Sequence, residues 1–134
     1  MAAASADITG KTVMITGCGS IGLFAVGVAR VLGASKVFAV DINDYRLRIA
    51  QKMGSTYSIN PQRQNLFKEV MLETGGEGVD LVVEVSGSEQ CLHDGLKTVK
   101  HGGRIALLGI PQEKIYLDLA NEDLYVPSVE SMET

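Results

Sequence analysis

Three glycines and one carboxylate carry the chemistry that can be read from this chain. Gly17-Cys18-Gly19-Ser20-Ile21-Gly22 has the form G-x-G-x-x-G, and each glycine answers a separate demand. Gly17 lets the chain turn sharply. Gly19 has no Cβ, so a pyrophosphate can approach the backbone. Gly22 lets a helix pack closely on a sheet. The freed backbone N–H groups and the helix dipole would then face phosphates. Asp41 stands 19 positions beyond Gly22. A carboxylate there can accept hydrogen bonds from both hydroxyls of an adenosine ribose and would repel a 2′-phosphate, so the expected cofactor is NAD rather than NADP.

Other readings of the same residues stand beside this one. Glycines at a turn can serve backbone geometry alone. Asp41 by itself can be a solvated strand end or a helix cap. A methyltransferase-type site for S-adenosylmethionine also uses a glycine-rich first turn and an acid after the second strand. Such sites usually place an acidic residue just before the glycines, where this chain has Ile15-Thr16.

The elements that must position these residues follow from periodicity. Thr12 to Thr16 is a short apolar, β-branched run bounded by Gly10 and Gly17, the pattern of a buried strand. From Ser20 on, Ile21, Phe24, Ala25, Val28 and Leu32 recur at helical spacing up to Gly33; Ser20 is a candidate N-cap, the alternative being that the glycine loop fixes this start by itself. Lys36 to Val40 predicts a second strand ending at Asp41. Asn43 or Asp44 then caps a helix with Leu47, Ala50 and Met53 on one face and Gly54 at its end. Thr56 to Ile59 predicts a third strand, closed by Asn60-Pro61. A helix over about 63–74 would turn Leu66, Phe67, Val70 and Met71 inward. Val79 to Val85 predicts a fourth strand, interrupted by Asp80 and Glu84. Leu92, Gly95, Leu96 and Val99 mark a fourth helix face, Gly102-Gly103 a stop, and Arg104 to Leu108 a fifth strand ended by Gly109-Ile110-Pro111.

Strands alternating with helices predict an α/β fold of the Rossmann type. It would be a doubly wound parallel sheet in the order 3-2-1-4-5, with three layers, α/β/α. The 134 residues suffice for one domain, with residues 1–10 as a lead-in. Residues 112–134 read as an irregular tail in which 114–119 could be extended.

Composition narrows the function classes. Apolar residues make up 46% and charged residues 21%, which excludes a disordered or collagen-like chain. A net charge of −4 gives no footprint for nucleic acid or an anionic membrane. No run approaches the length of a membrane helix. The first residues do not read as a signal peptide, and two cysteines make no disulfide framework, so the expected compartment is the cytoplasm.

The stretch from Gly10 to Gly22 resembles the start of the coenzyme domain of zinc-type medium-chain dehydrogenases. The similarity extends to Asp41-Ile42-Asn43, Val79-Asp80, Ser86-Gly87 and Gly102-Gly103-Arg104-Ile105, and covers about residues 7 to 120. Within that family, Asp7 to Lys11 and Glu84 to Gly87 look most like the threonine dehydrogenases, with the sorbitol and butanediol dehydrogenases close rivals. The resemblance implies roles for matched positions. Gly17, Gly19, Ser20, Ile21 and Gly22 would lie along the pyrophosphate and nicotinamide ribose, Asp41 and Arg46 at the adenosine ribose, and Ile42 at the adenine. Ser86, Gly87, Leu108, Gly109 and Ile110 would approach the nicotinamide half.

The family's catalytic zinc is held by Cys, His and an acidic residue of a separate catalytic domain, for which these residues contain no counterpart. Cys18, Cys91, His93 and His101 lack metal-ligand spacing. No catalytic residue is therefore expected here, and the partners expected are NAD(H), the missing catalytic domain and further copies in a homo-oligomeric parent enzyme. A stand-alone NAD-binding sensor or partner module is the alternative. Cys18 is expected to be a packed or partly exposed thiol, the alternative being a lowered pKa beside a helix N-terminus. Cys91 reads as core, and His93 and His101 as surface. Glu84 should pair with a nearby N–H or a cation. Family members also have a sixth strand, of which Leu124-Tyr125-Val126 could be a remnant limited to an edge by Pro127.

Overall fold

A computed structural model describes residues 7–108 and 128–131. Its elements run β1 Thr12–Thr16, α1 Ser20–Val31, β2 Lys36–Val40, α2 Asp44–Met53, β3 Tyr57–Ile59, α3 Leu66–Glu73, β4 Val79–Glu84, α4 Glu89–Thr98, β5 Val99–Leu107 and β6 Ser128–Ser131. The strands form one sheet in the order β3-β2-β1-β4-β5-β6, and every pairing is parallel. The expected 3-2-1-4-5 order is present. A sixth strand extends it, with Ser128 to Ser131 beside Arg104 to Leu107. Part of the stretch read as an irregular tail, Ser128 to Ser131, is therefore strand. Residues 109–127 and 132–134 lie outside the described residues, and with them the extended piece at 114–119 and the remnant at 124–126.

Alternation along the strands separates two cores. Val13 and Ile15 of β1 point to the side of α1 and α2, where they meet Val26, Ala29, Leu47 and Ala50. Met14 points to the other side, with Leu66 and Val70 of α3 and Leu92 and Leu96 of α4. Because β1 is covered on both faces and paired on both edges, its apolar run is continuous instead of alternating.

Several helices differ from their sequence patterns. Ser20 is not a cap: Gly19 holds the N-cap position without a side-chain bond, and Ser20 is the first helical residue. The loop backbone closes this helix start, with Leu23 N–H donating to Gly19 O at 2.9 Å. The buried face of α1 is made of small residues, Gly22, Val26 and Ala29. The bulky Ile21, Phe24 and Val31 point outward, at 57%, 69% and 86% exposure. Small side chains let the helix axis approach the sheet, so size rather than hydrophobicity selects the inner face. Helix α2 starts as expected, with the Asn43 side chain accepting from Arg46 N–H at 3.1 Å. It ends at Gly54, which has φ +118°. Helix α3 starts late, at Leu66, because Arg63 and Gln64 donate to Asn60 O in a preceding turn and Asn65 supplies the cap. Phe67, expected inside, is exposed.

Val99 begins β5 instead of closing the helix face. Val79 pairs with Val99 and Leu81 with Arg104, so Lys100 to Gly103 bulge opposite Asp80. Gly102-Gly103 is thus a bulge within the strand instead of a stop before it. A Cβ on Gly103 would lie 2.6 Å from Val99 Cγ2 and 3.0 Å from Asp80 O.

Candidate functional site: the cleft at the strand ends

The carboxyl ends of β2, β1 and β4 open onto a cleft of about 570 Å³. Helices leave β1 and β2 on one face of the sheet and β4 on the other, so the cleft lies where the winding reverses, the place ligands occupy in open α/β sheets. Its floor is the glycine loop, through Gly17, Gly19, Ser20 and Ile21. Asp41, Ile42 and Arg46 form the β2 wall, and Val85, Ser86, Ser88 and Cys91 the β4 wall.

The three loop glycines are each required by a different contact. Gly17 has φ +98°, and a Cβ there would lie 2.8 Å from Ser86 N, so it brings the loop against the β4 wall. A Cβ on Gly19 would meet no protein atom within 4 Å. Nothing in the fold requires glycine at this position, and the space above it is open to a ligand. A Cβ on Gly22 would lie 1.7 Å from Gly17 O, while the nearest strand atom, Ile15 Cγ2, is 3.8 Å away. The close packing expected of Gly22 is therefore against the loop carbonyl and not against the sheet.

Asp41 is not a solvated strand end. Its side chain is 7% exposed, with Oδ2 accepting from Cys18 N–H at 2.7 Å and Oδ1 from Asn43 N–H at 2.8 Å. Arg46 Nη1 stands 3.9 Å from Oδ2. The carboxylate thus ties the glycine loop to the entry of α2. An ionised carboxylate has about four acceptor positions, so capacity remains for hydroxyl donors in the cleft.

Glu84 is 2% exposed at the end of β4. Its Oε1 accepts from Thr16 Oγ1 at 3.0 Å, from Ser86 N–H at 2.8 Å and, through a short bond, from Ser86 Oγ. Its Oε2 accepts from Gly87 N–H at 3.0 Å. The pairing with N–H groups expected for this carboxylate is present.

Cys18 is fully buried. Burial, and then the nearby Asp41 charge, push its thiol up to about 12. The shift is upward instead of the lowered value considered for it, with desolvation the larger cause and the Asp41 carboxylate the second. Cys91, expected in the core, is half-buried and lines the cleft. Burial raises its thiol too. His101 is exposed, and His93 Nε2 stands 3.8 Å from Glu89 Oε1.

Ser20, Ile21, Asp41, Ile42, Arg46 and Ser86 thus meet around one space, with Gly17 and Gly19 beneath it. Gly22, Gly87 and Leu108 are not on the cleft wall. Gly22 packs under the loop, Gly87 turns its N–H to Glu84, and Leu108 donates its own to Glu84 O at 2.9 Å. Gly109 and Ile110 lie outside the described residues. Val40, Pro61, Val85, Ser88 and Cys91 line the cleft without having been singled out. Their one signal was position, since each flanks a strand end or opens a helix. Among the described residues, no three His, Cys, Asp or Glu side chains could hold a metal ion together, and no helix is long and apolar enough to cross a membrane.

A doubly wound parallel sheet with a glycine-loop cleft at its switch point defines the Rossmann-type class of α/β folds. Comparison with known proteins narrows this. A profile described as zinc-binding dehydrogenase matches residues 20–129, and the chain belongs to that family. It is 45% identical over 118 residues to an L-threonine 3-dehydrogenase of Symbiobacterium thermophilum, covering 88% of this chain and 34% of that protein. It is 42% identical over 116 residues to an L-threonine 3-dehydrogenase of Bacillus subtilis, covering 87% and 33%. The chain therefore spans about a third of the length of these relatives. Among solved structures, an alcohol dehydrogenase from Thermus sp. ATN1 superposes with a TM-score of 0.81 at 33% identity, covering 92% of this chain and 36% of that one. The 2R,3R-butanediol dehydrogenase of Bacillus subtilis superposes at 0.89 with 22% identity over 98% of this chain and 38% of its own, a likeness of fold.

Proposed function

We propose that this chain is the coenzyme-binding part of a dehydrogenase similar to L-threonine 3-dehydrogenase, and that it binds NAD(H) in the cleft between Asp41 and Ser86. The observation that carries the reading is the pairing of an open space above Gly19 with a carboxylate fixed at the end of β2. The first would admit a pyrophosphate and the second would hold a ribose. Ile42, 61% exposed at the rim, offers an apolar surface for adenine, and Arg46 would stand over the same ribose. The bound nicotinamide would supply the hydride acceptor. Groups that bind zinc and a secondary alcohol would come from protein outside these 134 residues. On this reading the chain orients the cofactor and holds its charge.

The test is calorimetric titration of the purified chain with NADH, NADPH and S-adenosylmethionine. The sequence has no Trp, so fluorescence transfer from protein to NADH is a poor reporter. Preferential NADH binding is expected. Binding of S-adenosylmethionine alone, or of none of the three, would overturn the proposal. Asp41→Ala should weaken NADH binding by about 1–3 kcal/mol, the scale of a hydrogen bond to a charged group, and should narrow the preference over NADPH. An unchanged NADH:NADPH ratio would remove Asp41 from the ribose site.

A further inference from the structure

We infer that Glu84 is a positioning residue that makes the cleft selective for the half of a dinucleotide lying beyond the pyrophosphate from Asp41. The inference rests on the cofactor reading above and deepens it. In the sheet, β1 separates β2 from β4. Asp41 and Ser86 therefore stand on opposite sides of the glycine loop, and a ligand spanning the cleft touches both. The β4 wall turns at a two-residue corner, Ser86-Gly87, in which Ser86 lines the cleft and Gly87, behind it, has φ +72°. Three of the four hydrogen bonds that Glu84 accepts come from this corner: Ser86 N–H, Ser86 O–H and Gly87 N–H. The fourth comes from Thr16, the last residue of β1, just before Gly17. Together with the Thr16 carbonyl, which accepts from Val85 N–H at 2.9 Å and Ser86 N–H at 3.1 Å, this buried carboxylate holds the corner in shape and against the loop. Across that junction a Cβ on Gly17 would lie 2.8 Å from Ser86 N.

A carboxylate in an otherwise apolar buried strand is costly unless every acceptor position is used. Here the four donors come from Ser86 of the cleft wall, from Gly87 next to it and from the residue preceding the loop, and Glu84 itself is not on the cleft surface. Glu84 thus acts on a ligand through Ser86 and Gly87. Its effect should fall on the part of the ligand at the β4 wall and spare the part at Asp41.

The experiment compares NADH with ADP, which carries only the adenosine and pyrophosphate portion, by calorimetry on the full chain. Glu84→Gln puts an amide N–H where at least one donor now finds an oxygen. It should weaken NADH binding about tenfold, the effect of one unsatisfied donor, and change ADP binding less than twofold. Thr16→Val removes one of the four bonds while keeping volume. Thr16 is fully buried and does not line the cleft; the hydroxyl it loses bonds to Glu84, while its backbone carbonyl, which the substitution keeps, accepts from Val85 N–H and Ser86 N–H. It should give a smaller loss of the same kind, and it carries the test if Glu84→Gln does not fold. The Gly87 amide proton resonance should move upfield in Glu84→Gln, a readout independent of ligand. Equal losses for NADH and ADP in both variants, or no loss for NADH in folded protein, would overturn the positioning role. Failure of the unaltered chain to bind NADH would overturn the cofactor reading itself.

Discussion

Gly19 and Gly22 lie three positions apart in one motif and are held by different forces. Gly19 has φ −72° and open space where a Cβ would stand. Gly19→Ala should therefore leave thermal stability unchanged or raise it by less than about 1 kcal/mol, through a less flexible unfolded chain. It should also cut NADH binding sharply by filling the space above the loop. Gly22→Ala drives a methyl group into the Gly17 carbonyl and should cost about 3 kcal/mol or more, as severe overpacking does. Urea denaturation and calorimetry on the two variants check the contrast; equal destabilisation would contradict it. Cys18 gives a third expectation at this scale. With its pKa pushed up to about 12 and its side chain buried, it stays protonated at pH 8 and should resist thiol reagents until the chain unfolds. Labelling of Cys18 in native protein at the rate of an unfolded thiol would contradict that. The glycine types were legible in the sequence because their spacing is diagnostic. What each faces was not, because the Gly17 carbonyl and the Ser86 amide approach only through the fold.

At the scale of elements, the end of the sheet opposite the cleft is held by a polar clasp. Asp80 Oδ2 accepts from Thr12 N–H at 2.8 Å and Thr12 Oγ1 at 3.1 Å, and Oδ1 pairs with Lys100. Burial alone would raise the Asp80 pKa, but the hydrogen bonds from Lys100 and Thr12 outweigh it and hold the carboxyl below its ordinary 3.8. The same bond holds Lys100 above its ordinary 10.5. The signs follow. The Asp80 contribution is present above pH 3.8 and is lost as pH falls through the lowered folded value. The Lys100 contribution is present below 10.5 and is lost as pH rises through the raised one. Asp80→Asn should lower stability by about 1–2 kcal/mol at pH 7, and the difference from the unaltered chain should shrink at pH 3. A constant difference across that range would show that the charge is not responsible. This clasp also accounts for the error over β5. Lys100 reaches Asp80 because residues 100–103 bulge opposite it. In sequence, the glycines of that bulge look like a break between elements. Helix types and caps such as Asn43 were legible because they are local; the outward face of α1 was not, because tertiary packing chose its small residues.

For the molecule as a whole, the central seam joins two groups of strands: β1, β2 and β3 from the first part of the chain and β4, β5 and β6 from the second. Each end of that seam carries a threonine–carboxylate pair, Thr12 with Asp80 and Thr16 with Glu84, and each pair spans 68 residues. The connection between the groups passes through Gly75, Gly76 and Glu77, all exposed. The seam therefore carries enough information to be remade without a covalent link. A slip by one position would take the Thr12 and Thr16 donors from Asp80 and Glu84 and turn every β1 side chain to the wrong face. Two co-expressed polypeptides, divided between Gly75 and Gly76, should find one another and co-purify, and Thr12→Val with Thr16→Val should reduce the yield of the pair. Independent elution of the two pieces would show that the connection itself is needed. If they do pair, the domain works as a lock with two matched keys, and the cleft they close between them becomes a signal that two separate polypeptides have met.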